Sequence, residues 1–124
     1  MATRSTIARK VGDTIQSIYC HWDGYPAGVG ATLQEHYTTD EKIDALMALG
    51  DLSVLGPEIG SKKDFDVSVL HDECLAYGRD RGEHGVAAKV HETYIDFIND
   101  RAAQGCEFAY IWNGTGWETA PLLD

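Results

Sequence analysis

Long hydrophobic runs are missing: nothing in the 124 residues approaches the ~18 consecutive apolar positions that a membrane crossing needs. The first residues, Met1-Ala2-Thr3-Arg4-Ser5-Thr6, also lack the apolar segment of a secretory leader. Both absences predict a cytoplasmic protein that makes no membrane contact. Cysteine is scarce, and Cys20, Cys74 and Cys106 are odd in number and never in CxxC spacing. That argues for reduced thiols in small core positions rather than a disulfide framework. Positive charge is scarce too, with 10 Lys and Arg against 20 Asp and Glu and a formal net charge of -10. Such a surface repels nucleic acid, so direct nucleic-acid binding is not expected and any anionic ligand must be held by a local cluster of cations. The same acidity suits a protein that imitates nucleic-acid phosphates, or serves only to keep the chain dissolved. Gly-rich phosphate loops, GxSxG elbows and HExxH motifs do not occur, and no cofactor is expected.

What is present is an ordinary globular composition, 44% hydrophobic and 24% charged. A chain of this size buries about two thirds of its surface around one core, so 1–124 is expected to form a single domain. Residues 3–11 and 14–22 flank Gly12-Asp13 and read as a hairpin. In its second strand Ile18, Cys20 and Trp22 share one face, and Tyr19 and His21 the other. Turn residues dominate 23–30. A short helix is expected over 31–37, then one over 40–49 that starts at a Thr38–Glu41 capping box, faces inward through Ile43, Leu46 and Met47, and stops at Gly50. An irregular connection with a helical turn near Leu52 is expected over 51–65, a strand over 73–79, a polar loop over 80–85 and a helix over 90–103. That helix carries Val90, Tyr94, Phe97, Ile98 and Arg101 at helical spacing. Residues 106–112 and 117–120 close a second hairpin. The expected order is β-β-α-α-β-α-β-β: an α+β fold with about three helices on one face of a mainly antiparallel sheet.

Four groupings can carry chemistry. Trp22 and Tyr25, around the flexible Asp23-Gly24, offer flat surfaces for stacking a base, or else anchor the sheet and cover the loop. Arg79 and Arg81, two apart on the expected strand, would point the same way and grip a phosphate pair, or else pair with Asp72, Asp80 or Glu83. The histidines, in His71-Asp72-Glu73-Cys74, His84, His91 and His21 with Asp23, match no zinc spacing, so no metal is expected, and no motif sets a nucleophile beside His21. Phe108, Tyr110 and Trp112 share a face that suits the core or a subunit interface, with Trp117 nearby.

Thr3-Arg4-Ser5-x-Ile7, Tyr19-Cys20-His21-Trp22-Asp23-Gly24-Tyr25, Gly50-Asp51-Leu52-Ser53 and Tyr77-Gly78-Arg79-Asp80-Arg81-Gly82-Glu83 together resemble a family of small phage and prophage proteins. The family is similar to the Thoeris anti-defence sponges, which sequester cyclic ADP-ribose isomers in infected bacteria. That resemblance implies a homo-oligomer that holds an anionic, base-containing nucleotide without turning it over. It implies ligand contacts from Trp22 and from Arg79 or Arg81, beside which Tyr25 would stack and Arg4 assist. The family's C-terminal arginine finds no match, since Arg101 falls in an expected helix. The residues themselves leave two rivals: an acidic inhibitor that docks on a host defence protein, and a small hydrolase or metal enzyme using His21, Asp23 or the His71 to Cys74 cluster.

Overall fold

A computed structural model describes residues 2–66 and 72–122. Gly12, at φ 60°, turns β1 (Ser5–Val11) back into β2 (Thr14–Cys20), with Ser5 opposite Cys20 and Val11 opposite Thr14. The loop after β2 winds through a π-helical turn at Pro26–Gly30 into α1 (Ala31–His36). The next helix, α2 (Asp40–Leu49), is capped by Thr39, whose hydroxyl accepts the Lys42 N–H. The cap thus lies one residue later than the Thr38 box predicts.

The chain then lays down β3 (Leu52–Val54), parallel to the end of β2. After it come β4 (Leu75–Ala76), α3 (Tyr77–Arg81) and β5 (Lys89–His91), the last antiparallel to the first half of β2. Thr93 caps α4 (Tyr94–Ala103), which leads into β6 (Phe108–Trp112), parallel to β1, and β7 (Trp117–Pro121). The sheet runs β4-β3-β2-β1-β6-β7, with β5 also on β2.

The α+β class and the general order stand, and the sheet is mixed. Its two parallel pairs arise where helices carry the chain back to the end of the sheet it came from, after β2 and after β5. Helices cover both faces rather than one. Ile7, Ile18, Cys20, Tyr110 and Trp112 pack with Leu33, Ile43, Leu46 and Met47 from α1 and α2. On the other face Ala8, Ile15, Ala109 and Ile111 pack against Phe97 of α4. Strands that are apolar on both sides need two covers.

Three local expectations change. Leu52–Val54 is a strand because it pairs with β2, not a helical turn. The start of the expected 90–103 helix is the strand β5, since Thr93 accepts the Asp96 N–H and fixes the helix start there. The expected 73–79 strand ends at Ala76, because the Asp80 carboxylate folds back to accept the Ala76 N–H at 2.8 Å and holds the next residues helical. Val67 to Leu70, and His71 of the His71 to Cys74 cluster, lie outside the described residues. Phe108, Tyr110 and Trp112 belong to the larger core, and all three cysteines are buried and free. No helix among the described residues is long and apolar enough to cross a membrane.

Gly50 ends α2 at φ 75°, where an added Cβ would collide with the Val86 carbonyl oxygen. Gly50→Ala should therefore cost more than ~1 kcal/mol in urea unfolding. Gly116→Ala, which meets open space, should stay within ~0.5 kcal/mol.

Candidate functional site

Trp22 and Tyr25 are each 43% exposed. Backbone bonds hold their turn: Trp22 N–H donates to the Ser53 carbonyl at 3.0 Å and Val29 N–H to the Asp23 carbonyl at 2.8 Å. Asp23 adopts φ 58°, rare for a residue with a side chain. Trp22 borders a hollow of about 210 Å³ with Asp23, Thr32, Val54, Leu55 and Pro57. No arginine lines it. The Tyr25 hydroxyl donates to Asp23 Oδ1 at 3.2 Å.

The two arginines part company because α3 is helical: two residues apart, they point roughly 200° from each other. Arg79 turns inward and spends all its donors. Nε and Nη2 bond the Asp80 carboxylate at 2.9 and 3.0 Å, Nη2 also the Cys74 carbonyl at 2.8 Å, and Nη1 the Ile59 and Gly60 carbonyls at 2.9 and 3.2 Å. It clamps three chain segments and has no N–H left for a phosphate. Burial pushes the Asp80 carboxyl up, but Arg79 and the N–H groups of Ala76 and Lys63 more than offset this and hold it below its ordinary value. Arg81 stays outward, 4.8 Å from the centres of both the Phe65 and Tyr77 rings and paired with Glu83 at 2.5 Å.

Arg81 instead borders a groove on the α4 side of the sheet, centred on Tyr19 and Asp51. One half, about 280 Å³, is lined by Tyr77, Arg81, Glu83 and Val86, and the other, about 330 Å³, by Arg101 and Gln104; Tyr19 and Asp51 line both. Arg4 lies toward the second half, where Nη1 donates to the Gln104 carbonyl at 3.5 Å. Asp51 Oδ1 accepts the Tyr19 N–H at 2.9 Å, and burial raises its carboxyl above the ordinary range. The Tyr19 hydroxyl lies 2.7 Å from His21 Nδ1. Burial pushes Tyr19 up to about 12, while burial and the Arg4 charge pull His21 down.

Arg101 is the unusual member. It is 1% exposed, and its contacts are neutral: Nε and Nη2 to Ser17 Oγ at 3.0 and 2.9 Å, Nη2 to the Ser17 carbonyl at 3.1 Å, and Nη1 to Gln104 Oε1 at 2.7 Å. These bonds use one Nε, two Nη2 and one Nη1 hydrogen, leaving one Nη1 hydrogen uncommitted. Among the described residues no carboxylate pairs with it; Asp51 shares its hollow without touching it. Burial lowers the guanidinium's pKa, and the nearby Asp51 charge opposes that. A buried cation without a counter-ion is costly, and an anion entering the groove would relieve the cost.

Ser17 Oγ also lies 2.8 Å from His91 Nε2, and His91 Nδ1 3.1 Å from Asp100 Oδ2. The order matches a Ser-His-Asp triad. Ser17 is 0% exposed and lies under the Arg101 guanidinium, which leaves no path for an electrophile to its Oγ. Among the described residues no three metal-competent side chains converge.

Of the residues singled out from sequence, Arg81 lines one half of this groove and Arg4 bonds Gln104 beside the other. Trp22 lines a separate hollow, Tyr25 is exposed on the same turn, and Arg79 is structural. Tyr19, Asp51, Arg101 and Gln104 were missed as site residues. One signal was legible, a cation within the apolar stripe of α4. Comparisons with protein-family models, curated proteins and solved structures return no match to this chain.

Arg79→Ala should cost about 3 kcal/mol, the scale of breaking a buried ion pair, whereas Arg81→Ala should change unfolding free energy by less than ~1 kcal/mol. Because the Asp80 carboxyl is depressed in the folded state, its contribution is complete above an ordinary carboxyl pKa of ~3.9 and is lost as pH falls through the lower folded value. Asp80→Asn should flatten that part of the acid-unfolding curve.

Proposed function

We propose that this protein binds a small anionic nucleotide in the Tyr19–Asp51 groove and holds it without chemical change. The observation that carries this reading is Arg101: a fully buried guanidinium with no carboxylate on it, opening on a hollow and retaining a free N–H. A phosphate there would gain charge-assisted hydrogen bonds, with Arg4 nearby and Arg81 at the far end. Asp51 between them suits a donor such as a ribose hydroxyl or ring amine. The Phe65–Tyr77 pair, stacked at 5.5 Å under Arg81, suits a base at that end.

The resemblance to anti-defence sponges makes cyclic ADP-ribose isomers the first ligands to test. It also supplies the setting of this proposal: capture of an immune signal in the cytoplasm of an infected bacterium by an oligomer. In that setting Trp22 and Tyr25 act as a stacking edge offered to the groove of a neighbouring copy. The net charge of -10 favours a second reading, an acidic inhibitor or nucleic-acid mimic docking on a basic defence protein. Reversing clustered acidic residues would then abolish activity while Arg81→Ala leaves it intact.

Calorimetry with cyclic ADP-ribose and ADP-ribose, followed by mass spectrometry of the released ligand, tests the primary reading. Binding with intact recovery is expected. Arg101→Lys should weaken it about tenfold or more through loss of the planar fork, with Asp51→Asn as a milder second variant. A loss of binding in Trp22→Ala would assign that side chain to the site across a subunit boundary. No binding of either nucleotide, or recovery of a cleaved product, would sink the proposal.

A further inference from the structure

A chain of hydrogen bonds runs from the surface to the back of the groove: Asp100 on α4, His91 on β5, Ser17 on β2, then Arg101 on α4. Donor counting sets the direction of each bond. Ser17 Oγ has two lone pairs and one hydrogen. Nε–H and Nη2–H of Arg101 both donate to it, at 3.0 and 2.9 Å, and fill the lone pairs. The hydroxyl hydrogen is left to donate to His91 Nε2 at 2.8 Å. Nε2 must then be bare, and the ring proton sits on Nδ1, donating to Asp100 at 3.1 Å. The geometry therefore selects one neutral tautomer of His91.

We infer that Ser17 and His91 are positioning residues that aim the Arg101 guanidinium into the groove, and that protonation of His91 releases it. An imidazolium carries a hydrogen on Nε2 as well. That hydrogen would meet a Ser17 oxygen with no free lone pair, so one Arg101 bond must break for Ser17 to accept it. His91 is 5% exposed and packed edge-on to Phe97 at 5.4 Å, which leaves the ring little room to turn away. The side chain of Asp100 is 63% exposed, giving protons a route to the ring from that side.

The charged groups of α4 that face His91 are Asp100, bonded to Nδ1, and Arg101, reached through Ser17. β2 faces the ring with Ser17, and Ile15 lies opposite it in register. Lys89 and Glu92, its neighbours along the chain, are exposed. Asp51, beyond β2, acts on Arg101. As pH falls, Arg101 should lose its fixed orientation, and any anion held by it should be released. The part of this that concerns a ligand rests on the reading of the groove as a binding site; the state of the guanidinium does not.

The test follows the ¹⁵N-labelled Arg101 Nε–H signal, assigned with Arg101→Lys, from pH 8 to pH 5 in the ligand-free protein, alongside the His91 ring signals. Slow solvent exchange is expected at pH 8. Protection, taken as the intrinsic base-catalysed exchange rate at each pH divided by the observed rate, should fall about tenfold, the loss expected for one hydrogen bond to a charged group, in step with His91 protonation. His91→Gln keeps an acceptor for the Ser17 hydroxyl and does not titrate, so its Arg101 signal should stay protected at both ends of the range. Ser17→Ala should expose the signal already at pH 8. An Arg101 signal that stays protected to pH 5 in the wild type, one that changes equally in His91→Gln, or one still protected in Ser17→Ala would overturn the inference.

In a second arm, ADP-ribose affinity is measured by calorimetry at pH 8 and pH 5. It should fall about tenfold more in the wild type than in His91→Gln. A protein that binds ADP-ribose at neither pH sinks the ligand part together with the binding reading, whereas the Nε–H signal still decides whether His91 controls Arg101.

Discussion

Strands β1 and β2 carry apolar side chains on both faces, Ile7 and Ile18 toward one and Ala8 and Ile15 toward the other. A sheet buried on both sides must be covered twice, and the rest of the chain is arranged around that requirement. Helices α1 and α2 close the face of Ile7, and α4 closes the face of Ala8. Each cover must return the chain to the sheet, and the two returns produce the parallel pairs β2–β3 and β1–β6. Tyr110 ties one cover down by donating to the Gly24 carbonyl at 2.6 Å, and Trp112 does so by donating to Asp40 at 2.9 Å.

The second cover is smaller, and it leaves room. Phe97 fills the middle of the α4 face, but one turn further on Arg101 takes the place an apolar residue would hold. Four of its five N–H hydrogens go to Ser17 on the strand beneath and Gln104 at the end of its own helix, and the hollow beside it stays open. The candidate site therefore follows from incomplete packing: where α4 stops short, Tyr19, Asp51 and Arg101 face a shared space.

The loop region before and after α3 shows the opposite use of an arginine. Arg79 joins Asp80 and three backbone carbonyls into a closed knot, so its charge is consumed by the fold. Arg81, two residues on, stays on the surface over two rings. Identical side chains in one short motif thus have different roles, because a helical turn separates directions that an extended strand would align.

Periodicity and turn chemistry in the sequence determined the two terminal hairpins, α1, α2, most of α4, and the assignment of the cysteines and the C-terminal aromatics to the interior. These signals are local, set by spacings of two or about 3.6 residues and by glycines such as Gly12 and Gly50. Only the tertiary structure decided that β3 and β5 are strands, that residues 77–81 turn helical, and which cations face a cavity. Most of those outcomes depend on partners far along the chain, Cys20 for Leu52, Ile15 for His91, Ile59 for Arg79 and Ser17 for Arg101, and the turn at 77–81 on a side-chain bond from Asp80 back to Ala76 that periodicity does not signal. Asp51 stood inside the Gly50-Asp51-Leu52-Ser53 motif and Arg101 inside an apolar stripe, so both were visible as residues. Their convergence with Tyr19 was not, because it arises only when β3 and α4 are brought against the same strand.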